Sequence, residues 1–250
     1  MTTAAAPART VEPILRLDGI SKHFGNLIVI DDLSFTLGAG EALGIVGPNG
    51  AGKTTTLNLV AGDLAPSTGS VWFAGSDVTR LPGHRRCRSG IGRTAQVPRP
   101  FEGLTVFENV LAGATFGGGS RRGDAVDTSI AALERAHLLD RANVRAGELT
   151  LLQRKRLELA RALATSPTLL LLDEIAGGLT EAEMNELIDT IGSIHAGGVS
   201  IIWIEHIVHA LLRVVDRMLA MDYGRVLIEG DPHHVMASDE VRSVYLGVEP

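Results

Sequence analysis

Residues 47–55 read GPNGAGKTT, which contains the eight-residue pattern G-x-x-x-x-G-K-[ST]. An apolar run, ALGIV, precedes it, and a helix-forming stretch follows. Gly50 and Gly52 let the backbone fold back on itself, so that the N–H groups of Gly47, Asn49, Gly50, Ala51, Gly52, Lys53, Thr54 and Thr55 can point inward at phosphate oxygens. The helix behind the loop adds its positive N-terminal end. Lys53 is placed to neutralise the β- and γ-phosphates, and the Thr54 hydroxyl to ligate Mg²⁺. The competing reading is a glycine-rich turn with an exposed lysine; the flanking strand and helix favour the phosphate loop.

Such a loop needs a carboxylate at the end of a neighbouring strand to hold the metal. LLLLDE, residues 169–174, offers one. Four leucines suit a buried strand, and Asp173 emerges at its C-terminal end, where open α/β sheets place their ligands. Glu174 follows at once and can orient or deprotonate an attacking water. Taken alone, the run could be a core strand ending in solvated acids. Together with the loop it points to nucleoside triphosphate hydrolysis, with ATP and Mg²⁺ as the bound species.

These groups need a frame. Short alternating runs over 14–17, 28–37, 41–46 and 71–74 predict strands, and a helix is expected from Gly52 to Ala61, burying Leu57, Val60 and Ala61. Between about Pro82 and Thr165 the pattern turns helical, over 105–114, 126–139 and 150–164, with Thr105 and Thr150 as N-caps. Two wholly apolar runs, 169–172 and 200–204, suit parallel strands covered on both faces. An α/β core interrupted by a helical insertion results. The GGGSRRG stretch at 117–123 reads as a surface loop, and residues 1–13, rich in Ala, Thr and Pro, as a disordered lead-in. A formal net charge of -6 argues against nucleic acid as the main partner. Cys87 is the only cysteine, so no internal disulfide or cysteine metal cluster can form. No run of about 18 apolar residues occurs, so no membrane-spanning helix is expected.

The order of five motifs resembles that of ABC ATPases: the loop at 47–55, Gln96 in GIGRTAQVPRPF, Leu149-Thr150-Leu151-Leu152-Gln153 before RKRLELARAL, LLLLDE, and His206 in SIIWIEH. The resemblance runs from Ile14 to Gly247. It implies a P-loop NTPase core with a mainly parallel sheet, an antiparallel β subdomain and an inserted helical subdomain. The ABC ATPase domain would span 14–250, with the nucleotide-binding core at about 14–95 and 166–250 and the helical subdomain at about 96–165. It further implies that Gln96 reaches Mg²⁺ and the attacking water, that His206 senses the γ-phosphate, and that Phe24 in SKHFG stacks on adenine. Residues 149–153 would serve as the signature facing a partner's ATP, and 177–180 as a loop crossing the dimer interface. The catalytic set is then Glu174, His206, Lys53 and Gln96, and the metal set Thr54, Gln96 and Asp173.

Three motifs depart from the family pattern. The usual signature LSGGQ is here LTLLQ, putting Leu151 and Leu152 where a backbone must approach phosphate closely. Ile175 replaces a proline, and Thr180 replaces an aspartate of the interface loop. An ATP site built on this chain's own loop would use a partner's signature and be strong, and the opposite site, built on LTLLQ, would be weak. A heterodimer is therefore expected, with a homodimer as the alternative.

RTAQVPRPFEGLTVFENV and the tail EHIVHALLRVVDRMLAMDYGRVLIEGDPHHV are similar to ATPases of branched-chain amino acid importers. This implies transmembrane permease subunits as partners, an extracytoplasmic solute-binding protein acting indirectly, and a peripheral location on the cytoplasmic face of the inner membrane. DNA-repair ATPases would carry a long coiled-coil insertion, translation factors two cassettes, and a small-molecule kinase no Gln96 or His206 equivalents. A nucleotide-gated module with little turnover is the remaining alternative.

Overall fold

The computed structural model describes residues 12–118 and 122–246. The expected lead-in at 1–13 therefore lies outside the described residues except for its last two. In chain order the first elements are β1 (Leu15–Phe24), β2 (Leu27–Leu37), β3 (Ala42–Val46), α1 (Lys53–Ala61), β4 (Thr68–Phe73), β5 (Ser76–Asp77), α2 (Gly83–Arg88) and β6 (Ile91–Arg93). The helical stretch follows as α3 (Val106–Ala112), α4 (Arg122–Arg135) and α5 (Leu151–Leu163). The chain closes with β7 (Leu169–Asp173), α6 (Glu181–Ala196), β8 (Ser200–Ile204), α7 (Val208–Leu212), β9 (Arg217–Asp222), β10 (Arg225–Gly230), α8 (Pro232–Ala237) and α9 (Asp239–Leu246).

The strands form two sheets. One is antiparallel and runs β2-β1-β4-β5, and the other runs β10-β9-β3-β8-β7-β6. In the second sheet β9, β3, β8, β7 and β6 are parallel, and β10 is antiparallel at the edge. Strand alternation divides the interior into two cores. Leu169 and Leu171 of β7, with Ile202 and Ile204 of β8, pack among α1 and the antiparallel sheet. Leu170 and Leu172, with Ile201 and Trp203, face the opposite way and meet Leu157, Leu187 and Ile191 of the helices. The all-apolar runs are thus buried on both faces, the condition for parallel strands under helices. The expected α/β architecture, with its antiparallel β layer and helical insertion, is the one found.

Threonine caps place the helices. Thr105, Thr150 and Thr180 each accept from the backbone N–H three residues on, and Glu108, Gln153 and Glu183 return a side-chain bond to the cap. Thr180 thus caps α6, a task that aspartate performs equally well. Two expectations need correction. The helix after Thr105 stops at Ala112 and continues as one π-helical turn, Gly113–Gly117, which packs closely on α5: a Cβ on Gly113 would lie 2.8 Å from the Arg161 carbonyl. The stretch read as a loop at 117–123 therefore begins in that turn and ends in the first turn of α4, while 119–121 lie outside the described residues. The helix expected over 126–139 occupies 122–135, and His137, at φ +51, breaks it before the 3₁₀ turn Leu139–Arg141.

Candidate active site

Strand β3, inside the parallel sheet, delivers the phosphate loop to the C-terminal end of its strands. Gly47 leaves it at φ +148, and a Cβ there would collide with the Met221 carbonyl of β9. Gly52 caps α1 at φ +96, and its Cβ would stand 2.6 Å from Ile30 Cδ1 of β2. Only a residue without a side chain lets the loop lie this close to both neighbours. The Ala51 carbonyl accepts from Gly224 N–H at 3.1 Å, so the β9–β10 turn steadies the loop from outside.

Lys53 curls back over the loop. Its Nζ donates to the carbonyls of Gly47 at 2.7 Å and Pro48 at 2.9 Å, and the side chain is buried. Burial pushes its pKa down, against the raising influence of the Glu174 and Asp173 carboxylates. α1 is held at its far end by Arg86 of α2, whose buried guanidinium donates to the carbonyls of Leu59 at 2.7 Å and Val60 at 3.0 Å. This cation covers the open carbonyls of the helix C-terminus while the N-terminus stays directed at the loop.

Asp173 ends β7 almost fully buried. Burial raises its pKa, while Arg93 and the Thr54 hydroxyl act in the opposite direction. Arg93 reaches Oδ2 at 3.4 Å and is itself anchored to Asp63 at 2.6 Å and Asn58 at 2.5 Å. Asp173 Oδ1 is buried and accepts no hydrogen bond from the described residues. A buried carboxylate oxygen without a donor, with the Thr54 hydroxyl acting on the same carboxylate, offers oxygen ligands that fit Mg²⁺. Among the described residues there is no group of three His, Cys, Asp or Glu that could hold a metal alone. That suits an ion bound by one carboxylate with substrate phosphates completing its shell.

Glu174 has a positive φ of +48, rare for a residue with a side chain. Its two oxygens are both engaged: Gln96 Nε2 donates to Oε2 at 2.7 Å, and His206 Nε2 lies 2.7 Å from Oε1. The structure thus brings Lys53, Thr54, Gln96, Asp173, Glu174 and His206 to one end of β3, β7 and β8. A carboxylate fixed between an amide and an imidazole is oriented for proton transfer, and the strained backbone matches a site where geometry is held against local preference.

Phe24 stands at the tip of the β1–β2 hairpin, half exposed, with Lys22 Nζ 5.1 Å from its ring centroid. Lys22 is pinned by a 2.8 Å bond to the Ala65 carbonyl. One side of the ring is therefore occupied by a cation, which suits the open side for a flat partner.

The residues 149–153 lie apart from this cluster, at the N-terminus of α5. The two leucines of the signature separate here. Leu151 is 42% exposed, whereas Leu152 is 7% exposed and packs in the helix-side core. The expectation that both stand where phosphate would approach is corrected for Leu152, whose isobutyl group turns inward. Leu151 meets the 177–180 loop: a Cβ on Gly178 would lie 3.2 Å from Leu151 Cδ2. Ile175, in the proline position, is buried in the same core and anchors that loop by packing. Arg93 and Lys22 were not singled out from the sequence. A lone cation on a short strand carries no pattern, and only the position of Arg93, three residues before Gln96, could have drawn notice.

The family described as ABC transporter matches residues 30–177. The chain is 34% identical to the high-affinity branched-chain amino acid transport ATP-binding protein LivG of Salmonella typhimurium, over 94% of this chain and 98% of that one. It is 37% identical to the Nod factor export ATP-binding protein I of Rhizobium johnstonii, over 91% of this chain and 73% of that one. Among solved structures, the ADP conformation of MJ1267, an ATP-binding cassette of an ABC transporter, superposes with a TM-score of 0.86 at 29% identity, covering 94% and 99% of the two chains.

Proposed function

The chain belongs to the ABC transporter family as an ATP-hydrolysing, ATP-binding subunit, and from that premise we propose that it powers import of branched-chain amino acids or related small polar solutes. The observation that carries the hydrolytic reading is Glu174 held at both oxygens by Gln96 and His206, beside Lys53 and the unpaired Asp173 Oδ1. Import is favoured over export by coverage: the chain spans 98% of the LivG relative and 73% of the Nod factor relative.

In this reading the core occupies about 14–95 and 166–250 and the helical subdomain about 96–165. Phe24 stacks on the base, and residues 47–55 wrap the phosphates. Lys53 leaves its two loop carbonyls to neutralise phosphate oxygens. Glu174 takes a proton from the attacking water, and Gln96 and His206 keep its carboxylate aimed. His206 and Lys53 offset charge that develops on the γ-phosphate. Thr54, Gln96 and Asp173 would hold Mg²⁺, which when bound would neutralise phosphate charge.

Residues 149–153 face the ATP of a second ATPase subunit, and Leu151 weakens that composite site. We read the assembly as a heterodimer with one strong and one weak site, on the cytoplasmic face of the membrane beneath transmembrane permease subunits, with solute supplied by an extracytoplasmic binding protein. Among the described residues no helix is long and apolar enough to cross a membrane. The test is ATP turnover by the purified chain, alone and with its candidate partner ATPase, with Lys53→Ala as control. Turnover that rises with the partner and disappears in Lys53→Ala supports the reading. Full turnover by the chain alone removes the asymmetry, and none in either case leaves a nucleotide-gated module.

A further inference from the structure

Glu205 sits between the end of β8 and His206, and nothing above gives it a task. Its side chain is 1% exposed. Oε1 accepts from Ala176 N–H at 2.7 Å, and Oε2 from His206 N–H at 3.2 Å. The Ile207 N–H also bonds to this carboxylate. Lys155 of α5, 4% exposed, faces it electrostatically from the signature helix. We propose that Glu205 is a positioning residue for ATP hydrolysis, a buried carboxylate clamp that fixes the segment behind Glu174 and the backbone of His206 to one anchor.

The argument is geometric. Glu174 and His206 must meet at 2.7 Å although they lie on different loops, after β7 and β8. Glu174 is held from one side by its own N–H, which donates to the Ile204 carbonyl at 2.9 Å. Its φ of +48 is not a conformation that the residue would keep unaided. The Ala176 N–H, two residues on, is the next fixed point, and Glu205 fixes it. The same carboxylate holds the N–H of His206, so both partners of the catalytic contact are referred to one side chain.

A carboxylate suits this better than an amide. All the groups that converge on it are backbone donors, and a carboxylate is an acceptor at both oxygens. Glutamine would turn an NH₂ toward one of those N–H groups. Burial raises the Glu205 pKa, opposed by the bonds from Ala176 and His206. Lys155, whose own pKa burial lowers, supplies the nearby positive charge. The cost of a buried charge at this place indicates that ordinary packing would not do the same work.

The inference rests on the hydrolytic reading, and the experiment separates the two. ATP turnover, nucleotide affinity and thermal melting are measured for the full chain as parent, Glu205→Gln, His206→Ala and the double variant, with Lys53→Ala as control. Amide hydrogen exchange at 174–178 and 205–208 is followed in parent and Glu205→Gln. The clamp predicts that Glu205→Gln lowers kcat about 10- to 100-fold, the scale of a misplaced catalytic group, with nucleotide affinity within about twofold of parent. It also predicts that His206→Ala adds little on top, because both changes act on one contact. Faster exchange at Ala176 and His206 in the variant is expected as well. Turnover of Glu205→Gln within about twofold of parent, or losses that multiply in full, overturns the proposal. Where Glu205→Gln does not fold, Glu205→Asp keeps the charge but shortens the reach by one methylene, and unchanged kcat in that variant overturns it equally. If the parent shows no turnover sensitive to Lys53→Ala, the hydrolytic reading fails; rapid exchange of the Ala176 and His206 amides in the parent would then refute the clamp by itself.

Discussion

Leu151 and Leu152 are adjacent and identical in type, yet truncating them should have opposite consequences. Leu152 is 7% exposed in the helix-side core. Removing a buried leucine side chain costs about 2–5 kcal/mol, and glycine in a helix adds about 1 kcal/mol, so Leu152→Gly should lose roughly 3–6 kcal/mol. That is a large part of the roughly 5–15 kcal/mol that keeps a domain folded. Leu151 is 42% exposed at the first position of α5. Half of a leucine transfer energy and a reduced helix penalty give about 1–2 kcal/mol for Leu151→Gly. Its functional effect runs the other way: without the isobutyl group the N–H groups beyond Thr150 are open to a phosphate of the facing subunit. Urea denaturation should show a midpoint close to parent for Leu151→Gly and far lower for Leu152→Gly. ATP turnover of the Leu151→Gly homodimer should rise. Gly178→Ala gives an internal check, because a methyl 3.2 Å from Leu151 Cδ2, on a backbone at φ +79, is strained by contact and by conformation. Only the contact part should be relieved by Leu151→Gly. Equal destabilisation by the two leucine variants, or lower turnover in Leu151→Gly, would refute the separation of roles.

Two further outcomes follow from the charged groups. Asp173→Asn should leave metal-free stability within about 1 kcal/mol of parent, because Arg93 keeps Asp63 at 2.6 Å and a buried charge is removed. It should weaken Mg²⁺-dependent nucleotide binding by at least about 10- to 100-fold, the scale of losing even a group behind a ligand; calorimetric titration with and without Mg²⁺ checks this, and a large loss of metal-free stability would make Asp173 structural. Glu41 sits at the entry to β3, where burial works against its charge but Arg217 at 2.6 Å and Gly38 N–H at 2.6 Å prevail and hold its pKa below the usual range. A lowered carboxylate pKa gives stability that is present above the unfolded value of about 4.3 and disappears as pH falls through the folded value. Glu41→Gln should therefore lower the melting temperature at pH 7, and the difference should close by about pH 3 in melts taken across the acid range.

The parts of the site legible in the sequence are those whose residue types repeat a local rule. β7 and β8 are apolar apart from Asp173 at the end of one and Ser200 at the start of the other, because both faces are covered, and α3 and α5 open with threonine caps whose partners lie three residues on. The loop at 47–55 needs glycine where the chain passes against Met221 and Ile30, so its spacing announces its shape. The short elements give no such signal. β6 has three residues, and α2 is GHRRCR, with an arginine as its one buried residue.

Charges are where sequence reasoning is weakest, because a charged residue reads as solvated until long-range contacts bury it. Arg86, Lys155, Glu158 and Glu205 are all buried, and none forms a pattern with its neighbours in the chain. Arg86, Glu158 and Glu205 each join segments distant in sequence. Arg86 closes the end of α1, and Glu158 accepts from Arg99 N–H at 3.1 Å and from Arg161 at 2.8 Å, tying α5 to the segment after Gln96. Arg161 lies 5.3 Å from the Phe101 ring, so the same segment is gripped twice. Glu158 on α5 holds the Gln96 segment, and Lys155, three residues before it, is buried without a hydrogen bond or ion pair to that segment among the described residues. The helix that begins with the signature therefore grips, through Glu158 and Arg161, the segment that carries Gln96, and a shift of α5 has a direct mechanical route to that support of the general base.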